Sequence, residues 1–170
     1  MKTLNIIGAG RVGRTLAALW RQRCVFDIQG VLNRTLGSAR AAVAFIGAGR
    51  AAATLGAMHS AEVWMLATPD SAIAYTAAQL AASGLLRADD VVFHCSGALP
   101  SGEMRAAIVA DVAVASVHPL KSFADPGDAM LTFAGTHCAA EGDAVALALP
   151  VALQGNAAVE RALVVVGRLD

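Results

Sequence analysis

Several things are scarce in this 170-residue chain, and each scarcity closes off a class of function. Charge of one sign is missing: 13 Lys and Arg face 13 Asp and Glu. Without a positive field, no nucleic-acid partner is expected. Cysteine is sparse, and Cys24, Cys95 and Cys138 are odd in number and far apart. That suits neither a disulfide framework nor a zinc site, and it fits a reducing cytoplasm. No metal-ligand spacing occurs, so no metal is expected. The longest uncharged runs contain Pro, Gly, Gln or Ser, and none reads as a membrane span. The opening MKTLNII is too short for a secretory leader and is followed by Arg11 and Arg14. What is plentiful is apolar: 56% of residues are hydrophobic, enough to exclude disorder and to bury the core of one domain. Abundant alanine favours helices and close helix–sheet packing.

The chain is organised around its start. Leu4, Ile6 and Ile7 form a short apolar run that ends in Gly8-Ala9-Gly10-Arg11-Val12-Gly13, and Leu16, Leu19 and Trp20 follow at helical spacing. Strand, G-x-G-x-x-G and helix together make a pyrophosphate site. The first glycine permits the tight turn, the second lets the backbone approach phosphate, and the third lets helix and strand pack closely. The helix N-terminus adds free N–H groups and a positive dipole. The plainer alternative is a structural glycine turn, and the flanking strand and helix favour the nucleotide. A second glycine stretch, FIGAGRAA at Gly47 and Gly49, is read as a helix stop. A helix-like segment precedes it, Ala52 replaces the third glycine, and a helix C-terminus repels phosphate.

Along the chain, Val25–Leu32 reads as a strand, and Thr35 as the N-cap of a helix from Leu36 to Phe45. A short strand is expected at Ala53–Leu55, a buried one at Glu62–Ala67, and a helix at Ser71–Ala82 closing at Gly84. Asp90–His94 reads as strand and Ser101–Val109 as helix. Asp111–Val117 reads as strand ending in His118-Pro119, and SFADPGD as a loop. Leu131–Ala140 and Ala162–Val166 look like later strands, with helix Asp143–Leu153 between them, interrupted at Pro150. Short strands alternating with helices imply an α/β fold with a doubly wound, mostly parallel sheet.

Ligands of such sheets bind beyond the carboxyl ends of the strands, and polar clusters fall there. NAD-binding domains place an acidic residue about 20 positions past the glycines, for the ribose hydroxyls. Here that place holds Asn33, followed by Arg34 and Thr35. A guanidinium can bind the 2′-phosphate that a carboxylate would repel, so NADP(H) is the expected cofactor, with Arg11 a second cation near the phosphates. Its nicotinamide end is expected near Thr68, Pro69, Cys95 and Gly97. For the reacting end the candidates are His94, Ser96, His118 and Lys121. Carbonyl or imine reduction needs a proton donor, and Lys can also orient a carboxylate substrate. For each, a structural role is the competing reading. Cys95 beside His94 reads as a small buried thiol rather than a nucleophile.

GAGRVGRTL, VLNRT, AFIGAGRA, LATPDSAI, VFHCSGAL and SVHPLKSFADP together resemble the N-terminal half of an uncharacterised bacterial Rossmann-like family, whose second half is a domain of unknown function. That family is similar to pyrroline-5-carboxylate reductase, prephenate dehydrogenase and the F420-dependent NADP oxidoreductases. The resemblance covers about Lys2 to Gly142, and HCSGAL with HPLKSF is its more specific part. It implies a Rossmann-like NAD(P)-binding domain acting on a small-molecule substrate. Such reductases usually carry an all-helical second domain that mediates dimerisation and closes over the nicotinamide. The 170 residues are expected to form a single domain without it, and a homodimer would cover the open side. Two functions follow as expectations: hydride transfer to or from a small keto or hydroxy acid or imine, or a non-catalytic NADP(H)-binding module (a redox sensor, partner subunit or truncated enzyme). A remnant of the fold that binds nothing is a third.

Overall fold

The computed structural model describes residues 1–105, 111–153 and 165–166. Among these residues, eight strands form one sheet in the order β3-β2-β1-β4-β5-β6-β7-β8. They are β1 (Lys2–Ile7), β2 (Phe26–Leu32), β3 (Arg50–Ala52), β4 (Val63–Leu66), β5 (Val91–His94), β6 (Ala113–Pro119), β7 (Cys138–Gly142) and β8 (Val165–Val166). All neighbours pair parallel except β6 and β7, which are antiparallel. The helices are α1 (Arg11–Gln22), α2 (Leu36–Ile46), α3 (Asp70–Ala82), α4 (Gly102–Arg105), α5 (Pro126–Leu131) and α6 (Ala144–Leu153).

The central strands are apolar at nearly every position because helices cover both faces of the sheet. In β4, Val63 and Met65 join one buried cluster with Leu16, Trp20 and Ala42 of α1 and α2, while Trp64 and Leu66 join the opposite cluster with Ile73, Ala77 and Leu80 of α3. Trp20 anchors the first layer, edge-on to Phe26 at 5.4 Å and to Phe93 at 6.2 Å. Deleting a side chain of this kind costs about 3–5 kcal/mol.

The expected order of strands and helices holds through Leu32. Thr35 caps α2, its Oγ1 accepting from the Ser38 N–H at 3.2 Å, and Gly47 ends that helix in a left-handed conformation. The second glycine stretch is therefore a helix stop. The strand after it lies at Arg50–Ala52 rather than Ala53–Leu55, because those three residues pair with Gly30–Leu32, and Leu55–Ala57 form a 3-10 turn. The expected SFADPGD loop is in part a helix. Asp125 accepts from the Asp128 N–H at 3.0 Å, and Pro126 occupies the first turn, which together start α5. Leu131 accordingly ends a helix, and the strand expected at Leu131–Ala140 begins at Cys138. His118 and Pro119 lie within β6 rather than after it, paired with Ala139 and Cys138. Helix α6 continues through Pro150. The helix expected beyond Arg105 as far as Val109, and the strand residues Ala162 to Val164, lie outside the described residues.

Candidate dinucleotide cleft and its polar neighbour

Strand order reverses between β1 and β4, and a cleft opens there, at the carboxyl ends of β1, β2 and β4. It has a volume of ≈ 840 Å³. Gly8 forms its floor with φ +88°, and a Cβ at Gly8 would lie 2.7 Å from the Thr68 nitrogen, so only glycine fits. A Cβ at Gly13 would meet the Ala67 side chain at 3.1 Å, which makes Gly13 the close-packing glycine between α1 and the sheet. Gly10 caps α1 with no side chain to offer, so no side-chain oxygen occupies the first-turn N–H groups. Thr68 Oγ1, at the facing wall, is buried without a partner among the described residues.

Asn33 does not project as a free ribose ligand: its Oδ1 accepts from the Ala9 N–H at 2.7 Å and ties the glycine turn to the end of β2. Arg34 and Thr35 are exposed and line the cleft, as do Thr68 and Pro69. Arg11 is exposed on α1 outside that lining, and Val12 packs half-buried against the core. The cation that does line the cleft beside Arg34 is Arg14, which no motif in the sequence marks. Tyr75, 68% exposed on α3, and Ser38 also line it unannounced. Tyr75 follows Pro69-Asp70 by little more than one helical turn, which is the signal that could have found it.

A second recess of ≈ 430 Å³ lies at the ends of β5, β6 and β7, lined by Ser96, Gly97, Ser116, His118 and Glu141 among others. The four candidate reacting residues part company here. His94 is wholly buried: Nδ1 accepts from the Ser96 N–H at 3.2 Å, and Nε2 donates to the Pro100 carbonyl at 3.2 Å. Both nitrogens hold the 96–100 turn, and burial pushes the imidazole below its ordinary pKa, which favours the neutral ring. Ser96 Oγ accepts from Ala98 and Leu99 N–H groups and shapes the same turn. His118 Nδ1 faces the Cys95 carbonyl at 3.3 Å, an acceptor only, so Nδ1 carries the proton and Nε2 is left without a hydrogen-bond partner among the described residues. Gly97 accommodates the ring, since a Cβ there would lie 2.6 Å from Nε2. Lys121 is elsewhere, its Nζ donating at 2.8 Å to the Thr132 carbonyl at the C-terminal end of α5.

Cys95 packs against the core, and burial pushes its thiol up to about 12, leaving it protonated at neutral pH. Glu141, which no motif marks, reaches the recess because β7 pairs it with Ser116, and its carboxylate accepts from the Ser101 hydroxyl at 2.8 Å. Among the described residues no cluster of three His, Cys, Asp or Glu could hold a metal, and no helix is long and apolar enough to cross a membrane. The glycine floor, the uncapped α1 and the unpartnered Thr68 hydroxyl fit a dinucleotide phosphate chain running past Gly8–Gly13 toward Thr68.

Several solved structures share this architecture. A Bacteroides fragilis protein assigned as an NADP oxidoreductase superposes with a TM-score of 0.77 at 19% identity, over 91% of this chain and 57% of its own. Pyrroline-5-carboxylate reductase of Coxiella burnetii gives 0.73 at 13% identity, over 99% of this chain and 60% of its own. Prephenate dehydrogenase of Aquifex aeolicus, solved with hydroxyphenyl propionate and NAD+, gives 0.68 at 16% identity, over 91% and 57%. At such identities the likeness is one of fold, and the chain spans under two thirds of each of these proteins. No curated protein sequence matches it. The family model for the Rossmann-like domain matches residues 2–119, more than half of the sequence, and the chain belongs to that family.

Proposed function

We propose that the chain is an NADP(H)-binding oxidoreductase domain that transfers a hydride to or from a small keto or hydroxy acid or an imine. The observation that carries the reading is the composition of the cleft. A glycine turn and an uncapped helix face phosphate, while the end of β2 presents Arg34 and no carboxylate. Two of the similar structures are, by description, an NADP oxidoreductase and a pyrroline-5-carboxylate reductase, which agrees with this class. The three cysteines, all free, suit a cytoplasmic setting.

The nicotinamide supplies or accepts the hydride when bound. The protein's share is to hold and protonate. Gly8, Gly10 and Gly13 let the backbone approach the pyrophosphate, and Arg34 pairs with the 2′-phosphate. Asn33 keeps the glycine turn in register through Ala9. His118 is the proton-transfer residue: the Cys95 carbonyl fixes its tautomer, so Nε2 accepts a proton in the neutral ring and donates one in the cation. His94 and Ser96 position it by shaping the turn that carries Gly97. Lys121, tied to α5, is not assigned to this step.

The second reading, a non-catalytic NADP(H) module, is favoured by the thinness of the reacting end. Among the described residues only His118 and Glu141 are titratable in the recess. Following NADPH oxidation with a panel of small keto acids and cyclic imines separates the two. Turnover on any of them that falls about 100-fold or more in His118→Gln supports the enzyme. NADPH binding with no turnover across the panel supports the module, and no nucleotide binding overturns both.

A further inference from the structure

Two guanidinium groups line the dinucleotide cleft, Arg34 and Arg14, and among the described residues no Asp or Glu shares that lining. Arg14 stands one helical turn after Gly10. Its Nε donates to the Gly10 carbonyl at 3.1 Å, with the Ala9 carbonyl at 3.4 Å, which folds the side chain back over the glycine turn. No other side-chain hydrogen bond of Arg14 is made among the described residues, so the two terminal nitrogens of its fork keep their donors. The longer of these two contacts is to Ala9. That residue offers its carbonyl to Arg14 and its N–H to Asn33 Oδ1, at 2.7 Å, so it links Arg14 to the segment that carries Arg34. Both cations therefore line one cleft, Arg34 at the end of β2 and Arg14 over the glycine turn tied to that end through Ala9 and Asn33, whereas Arg11 lies outside the lining.

We infer that Arg14 is a specificity-determining residue of this cleft, clamping the 2′-phosphate of NADP(H) together with Arg34. The inference rests on the dinucleotide reading above. A phosphomonoester carries roughly −1.5 to −2 charge near neutral pH, so one guanidinium leaves part of that charge unbalanced and two balance it. Anchoring Nε on the Gly10 carbonyl holds the fork before ligand arrives, which lowers the entropy lost on binding.

The test is calorimetric titration of the full chain with 2′,5′-ADP, NADPH and NADH. Arg14→Gln is expected to weaken 2′,5′-ADP and NADPH by about 10-fold or more, and NADH by no more than about twofold. Arg14→Lys, which keeps the charge and loses the fork, falls between. Arg40→Ala, an exposed cation of α2 outside the cleft, leaves all three affinities in place. Equal weakening of NADPH and NADH in Arg14→Gln overturns the inference, because it marks a residue that supports the glycine turn or the pyrophosphate. No change in any affinity overturns it as well. Failure is separable from failure of the parent reading: selective NADPH loss in Arg34→Ala with none in Arg14→Gln removes only the second cation, whereas a wild-type chain that binds no 2′-phosphorylated ligand removes both.

Discussion

His94 and His118, on neighbouring strands, show how a single residue's surroundings decide its chemistry. His94 is buried and its pKa lies below the ordinary 6.5, desolvation being the largest cause. The unfolded chain therefore takes up a proton near that pH that the folded chain refuses. The contribution of neutral His94 to stability is complete above pH 6.5 and is lost as pH falls toward and through the folded value. Asp90 has the opposite sign: burial raises its carboxyl above 3.8, so acidification relieves its penalty. Urea midpoints for His94→Gln, taken between about pH 7.5 and 5, are expected to fall less steeply than those of the wild type; parallel acid limbs would contradict the assignment. At Gly97 the contact is steric. The 2.6 Å approach of a Cβ to His118 Nε2 means that Gly97→Ala displaces the ring, and a misplacement of about 1 Å costs about 100-fold in kcat. Unchanged turnover in Gly97→Ala would take His118 out of the reaction. Gly8, Arg34 and His118 were legible in the sequence, since spacing after an apolar run places them at strand ends. Arg14 was not, because its position depends on an Nε–carbonyl bond that no pattern announces.

At the scale of elements, the caps carry most of the information. Thr35 and Gly47 bound α2 as their residue types require, and the same chemistry at Asp125-Pro126 begins a helix where the glycine and proline content suggests a loop. Strand β7 starts later than its apolar pattern suggests, because Leu131 and Phe133 supply that pattern without pairing partners, whereas Cys138–Gly142 pair with Ala115–Pro119. Glu141 enters the second recess through that pairing, which no local sequence signal reveals. Thr35→Ala removes the Oγ1 acceptor for the Ser38 N–H. It should cost about 1 kcal/mol, a fall in Tm of about 2–4 °C, measured by calorimetry. A Tm unchanged would mean that α2 is held by packing alone.

For the molecule as a whole, the order 3-2-1-4-5-6 of the first six strands puts the switch point between β1 and β4, and this dictates where a ligand can lie. Alternation of short strands and helices was enough to foresee that layout, because parallel strands covered on both faces must be apolar almost throughout. What alternation could not supply was the separation of Lys121 from His118, which depends on α5 drawing the ammonium toward Thr132. The central proposal concerns the cleft: that its β2 end, with Arg34 and no carboxylate in the lining, takes a phosphate rather than free ribose hydroxyls. The ratio of NADPH to NADH affinity, measured by equilibrium titration in the wild type and in Arg34→Ala, tests it most directly. The expected result is a wild-type preference for NADPH that shrinks by about 10-fold or more in the variant, through loss of NADPH binding alone. Equal small effects on both nucleotides, or a wild type that prefers NADH, would contradict it.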